Sequence, residues 1–153
     1  MDHIVCLDAR AREMENLVNG IKSMIIRGAE EKKIPHGRVN EGDVLYFVYN
    51  NGVSEVKARG VVSFVLNSEK LTFEESFETI IRHQDKLQLP DMQFEKVAGK
   101  SYLVLIGLSK IEEVEPFRIE NAYFEGMCDW IPVGKIETVT IPIGTAEVAD
   151  NEQ

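Results

Sequence analysis

Short apolar stretches of strand length, separated by turn-forming residues, constrain the fold of this chain more than any other feature of its sequence. The clearest are residues 4–7, 43–49, 54–66 and 102–108. They are rich in β-branched and aromatic side chains, which pack well on a pleated surface. Asn50-Asn51-Gly52 separates the second stretch from the third, and Asn and Gly tolerate the positive φ angles of a tight turn. The pattern predicts a β-hairpin over these two stretches.

Four further stretches have the composition of strands. They cover residues 22–27, 111–119, 122–131 and 134–143. Ile25 and Ile26 are a β-branched pair in the first, and Pro116 predicts a bend or a sheet edge in the second. Residues 28–41 are polar and contain Pro35, so they are predicted to form a mobile surface loop.

Two helices are predicted from apolar spacing and capping residues. Asp8 is placed to cap the first helix, and Gly20 stands where a glycine ends one. The apolar positions of this helix are Ala11, Met14, Leu17, Val18 and Ile21. Thr72 and Glu75 form a capping box that opens the second helix. The side chains predicted to be buried on one face of the second helix are Phe73, Phe77, Ile80 and Ile81.

Six or seven strands and two main helices, joined mostly by short turns, predict one α+β domain built as a small mixed β-barrel. The chain has 153 residues, of which 44% are hydrophobic, enough for a single core. Trp130 is expected to pack in this core, with stacking on a base as the alternative. The domain is predicted to cover residues 1–144, and the acidic residues 145–153 are expected to be disordered.

The net charge of −9 argues against avid, non-specific binding to nucleic acid, since that affinity comes from neutralising phosphates. Residues 1–60 contain nine acidic and nine basic residues, whereas residues 61–153 contain seventeen and eight. A basic patch is therefore expected only in the first part of the chain. The acidic remainder is expected to be a solvated surface.

Several classes of protein are not indicated by the sequence. No apolar run approaches the roughly 18–20 residues that span a bilayer, and the first residues lack the pattern of a signal peptide. Cys6 and Cys128 do not make a disulfide framework, so a cytoplasmic location is expected. His3, His36 and His83 are too widely spaced for a metal signature, and no phosphate-binding glycine motif is present. No cofactor is predicted.

One short motif carries a family resemblance. Gly20-x-Lys22-x-x-x-x-Arg27, followed by Gly42-Asp43 and a strand, resembles the signature of the ASCH group of the PUA-like superfamily. The usual signature is Gly-x-Lys-x-x-Glu-x-Arg and then Gly-Asp, and the order of strands and helices is also similar. The resemblance implies a PUA-like pseudo-barrel with a cleft near Lys22 that binds RNA, a nucleotide or a modified base. By itself, Gly42-Asp43 predicts a turn in which Asp43 bonds nearby backbone amides.

Some ASCH proteins hydrolyse the amide of an acylated cytidine with a Lys, a Thr and a Glu. Here Ile25 occupies the position of the Thr nucleophile, and an alkyl side chain cannot attack a carbonyl. Ser23 would share a strand face with Ile25, so Lys22 as base and Ser23 as nucleophile form the catalytic alternative. That alternative requires a carboxylate within hydrogen-bond reach of Lys22. The resemblance therefore supports the fold more strongly than an enzyme activity.

The residues predicted to bind the ligand are Gly20, Lys22, Arg27, Arg38, Lys57 and Arg59. A glycine permits close approach of the backbone, and Lys and Arg supply donors to phosphate or base edges. Lys57 and Arg59 alternate along one strand and would share a face. Lys22 and Arg27 would lie on opposite faces unless their segment twists. Each cation has a second interpretation as an ordinary solvated charge.

The polar loop holds a group of cations around Arg38. Its other members are Lys32, Lys33 and His36. They are expected to form either a cationic lid over a ligand or a solvated loop. Glu30 and Glu31 partly cancel the positive charge of this group.

Three functions remain open. The leading one is non-catalytic binding of RNA, a nucleotide or a modified base, over a footprint as small as one flipped or single-stranded base. The second is hydrolysis of a small acylated nucleoside-like amide. The third is a protein-interaction domain that uses the acidic second part of the chain, including Glu112, Glu113 and Glu115.

Overall fold

The computed structural model describes residues 1–49, 54–120 and 129–141. These residues form seven β-strands and four α-helices. The strands are β1 (Asp2–Leu7), β2 (Met24–Ala29), β3 (Val44–Tyr49), β4 (Glu55–Asn67), β5 (Tyr102–Ile119), β6 (Trp130–Gly134) and β7 (Thr140–Ile141). The helices are α1 (Glu13–Val18), α2 (Phe73–Arg82), α3 (Gln84–Leu87) and α4 (Asp91–Val97), and a 3₁₀ turn spans Ile136–Thr138.

The strands form one mixed sheet in the order β2-β5-β4-β3-β1-β6, and β7 pairs with the last residues of β5. β1 and β3 run parallel, while the other described pairs are antiparallel. The sheet curls into a half-barrel, and among the described strands its two end strands, β2 and β6, do not pair with each other. The predicted α+β class and PUA-like architecture are therefore confirmed.

Irregular pairing between β4 and β5 bends the sheet. The register shifts lie between Val56 and Ala58, between Arg59 and Val61, and between Val62 and Phe64. Each such bulge raises the local twist and helps a sheet to curl. Gly107 allows β4 and β5 to approach each other closely, because a Cβ at this position would lie only 2.9 Å from the Cβ of Phe64.

Two strands that were predicted separately form one long strand in the sheet. Residues 102–108 and 111–119 form one strand of 18 residues, β5, instead of two. Pro116 falls inside β5, opposite the register shift between Val56 and Ala58, where a missing N–H interrupts no regular ladder. The predicted hairpin turn at residues 50–52, most of the predicted strand 122–131 and the acidic segment 145–153 lie outside the described residues.

A side-chain cap sets where α2 begins, whereas the other described helices have no such cap. The Oγ1 of Thr72 accepts from the Glu75 amide at 3.2 Å, and the Glu75 carboxylate accepts from the Thr72 amide at 2.8 Å. The predicted capping box of α2 is therefore confirmed. The carboxylate of Asp8 instead accepts from the amides of Arg10 and Ala11, so it caps a turn, and α1 begins later than predicted.

The apolar face of α2 is narrower than predicted. Ile80 is fully buried and Phe77 is half-buried, but Phe73 and Ile81 are 65% and 62% exposed. The prediction that all four are buried is wrong for Phe73 and Ile81. The reason is that the stripe of α2 that meets the rest of the protein runs through Ser76 and Ile80.

Among the residues that the structure describes, the core forms three clusters, and β2 separates two of them. Ile25 points into the half-barrel, where it packs in the same cluster as Phe47 and Trp130. Ile26 points the other way, into a cluster with Leu105 between the sheet and the helices α2 to α4. A third cluster lies on the opposite side of β1 and β3, near the 3₁₀ turn. Position 25 is therefore part of the core, with no exposed surface.

Residues 28–41 are held against the sheet rather than projecting from it. The segment begins as the last residues of β2. The Nε2 of His36 contacts the carbonyl of Ser68 at 2.8 Å, and the Gly37 amide donates to Asn67 Oδ1 at 2.9 Å. These contacts join the loop to the end of β4.

Candidate functional site

The side chain of Arg27 links the two ends of the sheet. Its Nη2 donates to the carbonyl of Cys6 on β1 at 2.7 Å, and its Nη1 donates to the carbonyl of Ile26 on β2 at 3.0 Å. β2 is one end strand, and β1 lies next to the other end strand, β6. Arg27 therefore bridges the seam that strand pairing leaves open.

A cavity of about 250 Å³ lies at this seam. The ends of β1 and β2 form one part of its wall, and α4 with the residues before it forms another. Its charged residues are Asp8, Glu13, Arg27, Lys96 and Asp129, and Gln93 adds an amide. Leu89 and Val97 line its apolar side. We call this space the larger cavity.

Two residues that line this cavity each have a buried polar atom without a hydrogen-bond partner. Within the described ranges, Arg27 Nε and Gln93 Oε1 are the buried side-chain nitrogen and oxygen atoms that lack one. Arg27 Nε lies 3.2 Å from Asp129 Oδ2, an ion-pair contact that lacks the geometry of a hydrogen bond. One of the two atoms is a donor and the other an acceptor. Buried polar groups are nearly always paired, so each atom leaves one hydrogen bond for a ligand or a bound water to complete.

The guanidinium of Arg27 is held rigidly. The Arg27 side chain is 19% exposed, its two terminal nitrogens donate to carbonyls, and its Cζ lies 5.6 Å from the centre of the Trp130 ring. Trp130 is fully buried. A cation over an indole face is attracted by the ring. The direction of the Nε–H bond is therefore preset before any ligand arrives.

A buried ion pair forms the wall behind Arg27. Lys22 Nζ donates to Glu13 Oε2 at 3.0 Å, and both side chains are almost completely buried. The other oxygen, Glu13 Oε1, accepts from the amide of Asp8 at 3.0 Å. Burial alone would raise the pKa of Glu13, but the charges of Lys22 and Arg27 and the Asp8 amide hold it below its usual value. Glu13 is therefore a carboxylate at neutral pH.

A second buried network supports Trp130 from the other side. Trp130 Nε1 donates to His3 Nδ1 at 3.2 Å, and an indole nitrogen can only donate. His3 Nδ1 is therefore the acceptor, and His3 Nε2 carries the proton that it shares with Asp43 Oδ2 at 2.8 Å. Asp43 Oδ2 also accepts from the amide of Asn40 at 3.0 Å, which agrees with its expected role in a turn.

We expect acid to destabilise the protein through Glu13 and Asp43. Burial opposes ionisation of Asp43 too, but the Asn40 amide and His3 lower its pKa overall. A carboxyl whose pKa is lower in the folded state stabilises the fold above its unfolded pKa, and this contribution is lost as pH falls through the folded pKa. The free energy of unfolding, measured by urea denaturation, should therefore fall below about pH 4. Glu13→Gln and Asp43→Asn should each flatten this dependence, and an unchanged slope in both would contradict the assignment.

A smaller cavity of about 70 Å³ adjoins the larger one. Arg27, Gly28 and Asp129 line both. The rest of its wall comes from the loop after β2 and from the start of β5. Those residues include Glu31, Lys33, His36 and Tyr102. We call this space the smaller cavity.

Of the six predicted ligand-binding residues, Arg27 lines both of these two cavities and the other five line neither. Gly20 is exposed and has a φ of +77° in the turn after α1. A Cβ at this position would meet nothing within 4 Å, so the backbone angle and not a close contact favours glycine here. Lys22 lies behind the wall in its pair with Glu13. Arg38 is exposed in the loop after β2. The structure thus places Lys22 behind the wall that Arg27 lines, and it leaves Gly20 and Arg38 outside this wall.

Lys57 and Arg59 lie away from both cavities. β4 pairs with β3 and β5, so β5 separates it from β2. Lys57 pairs with Glu55 at 3.6 Å on the surface, and Arg59 pairs with Glu112 on β5 at 2.7 Å. Because β5 lies between β4 and β2, these two cations do not share a described cavity with Arg27.

The catalytic alternative meets one of its conditions. A carboxylate, that of Glu13, lies within hydrogen-bond reach of Lys22. Ser23 is half-buried just before β2, and neither Ser23 nor Lys22 lines a described cavity. The backbone of Ser23 is hydrogen-bonded to the backbones of Lys86 and Leu108.

Sequence reasoning missed three residues of the site. Glu13 could have been found, since its spacing of four from Leu17 places it on the apolar face of α1. A carboxylate on such a face indicates a buried partner. Gln93 and Asp129 gave no local indication, because only the folded chain brings them beside Arg27.

Residues 1–49, 54–120 and 129–141 contain no group of three or more His, Cys, Asp or Glu side chains arranged to hold a metal ion. In the same ranges, every helix is too short or too polar to cross a bilayer. Cys6 borders the larger cavity through the carbonyl that Arg27 contacts.

The sequence matches no protein-family profile and no curated protein. The structure, however, is similar to crystal structures of the ASCH protein from Zymomonas mobilis. The unmutated protein aligns with a TM-score of 0.66 at 14% identity, over 92% of this chain and 96% of that chain. A tyrosine mutant aligns with the same score and identity over 97% and 96%. A serine mutant aligns with a TM-score of 0.56 at 11% identity, over 98% and 95%.

These alignments define the class of the protein: the chain has an ASCH-like fold. At identities of 11–14% the similarity establishes the fold and nothing finer. The resemblance carried by Gly20, Lys22, Arg27 and Gly42-Asp43 is therefore confirmed at the level of the fold. The function has to be argued from the site itself.

Proposed function

We propose that this protein binds a single nucleobase in the larger cavity, presented by a nucleotide or by single-stranded RNA, without catalysis. The observation that carries the proposal is that Arg27 Nε and Gln93 Oε1, on two residues that line one cavity, are buried without a hydrogen-bond partner. A base edge presents acceptors and donors side by side, and Arg and Gln are side chains that read such edges.

The size of the cavity supports a small ligand. Its volume of about 250 Å³ lies just below the usual range of about 300–1,000 Å³ for drug-sized ligands. The net charge of −9 also argues against a long track of phosphate contacts. One base, inserted alone, fits both observations.

The charges of the larger cavity support a neutral ligand there. Asp8, Glu13 and Asp129 oppose Arg27 and Lys96 around the wall. An anion inside would meet three carboxylates, whereas an uncharged heterocycle would meet polar atoms of both kinds. Leu89 and Val97 provide an apolar surface for its ring.

Substitution of Arg27 by alanine is expected to weaken binding by about 10- to 100-fold, the loss of a charge-assisted hydrogen bond of about 1.5–3 kcal/mol. Gln93→Leu keeps a side chain of similar shape but removes a neutral hydrogen bond, so the affinity should fall by up to about tenfold. Calorimetric titration with nucleosides, modified nucleosides, single-stranded RNA and duplex RNA at two salt concentrations measures these effects. Circular dichroism and thermal unfolding show whether each variant is folded.

Arg59→Ala is the matched control, because it removes the same side chain from a surface ion pair outside both cavities. It should leave the affinity unchanged. Equal loss in Arg27→Ala and Arg59→Ala would contradict the site, and absence of binding across the whole panel would contradict the function.

Amide hydrolysis is the second candidate, and the Lys22–Glu13 pair favours it. Ile25 is buried in the core, and the described residues of the larger cavity include no Ser or Thr hydroxyl. Binding is therefore the better supported function. Turnover of an acylated nucleoside in the same samples, abolished by Lys22→Met in a folded protein, would reverse this order.

A further inference from the structure

The smaller cavity is lined by two cations and two carboxylates, whereas the larger one is lined by two cations and three carboxylates. Arg27 and Lys33 line it together with His36 and the Tyr102 ring. Lys32 Nζ lies 5.9 Å from the centre of that ring, so a further cation stands beside the opening. The opposing carboxylates belong to Glu31, which is exposed, and Asp129, whose side chain is 60% exposed. Water therefore screens the carboxylates of this wall.

The cationic loop is fixed in position over this cavity. His36 packs edge-on against Tyr102, with ring centres 5.8 Å apart, and its Nε2 contacts the Ser68 carbonyl. The loop residues after β2 thus hold their place on the sheet without a ligand. Preset donors cost less ordering when an anion binds.

We infer that the smaller cavity binds a phosphate group of the ligand whose base occupies the larger cavity. The inference rests on the proposed function. Lys, Arg and a phenol hydroxyl supply the donors that phosphate oxygens accept from. Because Arg27, Gly28 and Asp129 border both spaces, a base and its own phosphate can lie on either side of Arg27. The ligand class is therefore a phosphorylated nucleoside rather than a free nucleoside or a free base.

Calorimetric titration with the four common nucleosides and their 5′- and 3′-monophosphates tests this inference. At low salt we expect the preferred monophosphate to bind at least about tenfold more tightly than its nucleoside. The advantage should shrink at high salt, because the lysines are exposed. Inorganic phosphate should compete with the monophosphate and leave nucleoside binding unchanged.

A double variant, Lys32→Ala with Lys33→Ala, should remove the advantage of the monophosphate while the nucleoside binds as before. Lys57→Ala is the matched control, since Lys57 is an exposed lysine that pairs with Glu55 away from both cavities. Nucleosides and monophosphates that bind within twofold of each other would overturn the phosphate site and leave the base site intact. An advantage that survives in the double variant would overturn it too. Failure of both ligand classes to bind would overturn the proposed function together with this inference.

Discussion

Replacing Glu13 with alanine is expected to lower the free energy of unfolding by about 3–5 kcal/mol. The substitution leaves the ammonium of Lys22, which is 1% exposed, without its carboxylate partner in the core. It also frees the amide of Asp8, which Glu13 Oε1 now accepts from. Urea denaturation followed by circular dichroism at pH 7 measures the loss.

Two further variants separate charge pairing from packing. Replacing both partners with apolar residues, Glu13→Leu with Lys22→Met, should cost far less than Glu13→Ala, because no buried charge remains. Glu55→Ala breaks the exposed pair with Lys57 and should cost under about 1 kcal/mol. A Glu13→Ala variant no less stable than Glu55→Ala would show that Lys22 reaches water or another partner.

Replacing Trp130 with alanine is expected to cost about 3–5 kcal/mol of unfolding free energy. The side chain is fully buried in the half-barrel, and its removal leaves a cavity that neighbouring strands cannot close. His3 Nδ1 also loses the indole N–H that it accepts from. The ring below the Arg27 guanidinium disappears as well, so ligand affinity should fall in any fraction that stays folded.

Trp130→Phe distinguishes the contribution of the buried volume from that of the indole N–H hydrogen bond. It keeps most of the volume but removes the N–H, and an unpaired buried acceptor should then cost about 1–3 kcal/mol. Phe73→Ala is the control, because Phe73 is an aromatic side chain on the surface and should cost no more than about 1 kcal/mol. Equal stability losses at positions 73 and 130 would mean that Trp130 is not the core residue described above.

Much of the fold follows from local pattern. The capping box at Thr72 and Glu75 depends on neighbours three residues apart, and it appears as predicted. The stretch 43–49 is a strand because its side chains suit a pleated surface, and it forms β3 almost unchanged. The boundary between residues 108 and 111 could not be predicted in the same way. β5 continues through it because β4 offers a partner along nearly its whole length.

The site follows sequence reasoning only in part. Arg27 was predicted to contact the ligand and lines both cavities. Lys57 and Arg59 have a spacing as suitable as any, yet each pairs with an acid on the sheet surface. The difference arises from strand order, which places β5 between β4 and β2. No local pattern encodes that order.

The sequence by itself determined the class of fold and the helix start at the capping box. These properties depend on residue type and short spacing, which act before distant segments meet. Only the tertiary structure decided that Gln93 and Asp129 join Arg27 at one cavity, and that the sheet stays open where they meet. Those contacts join residues far apart in the chain, so they stabilise the protein only after the strands have folded into the half-barrel.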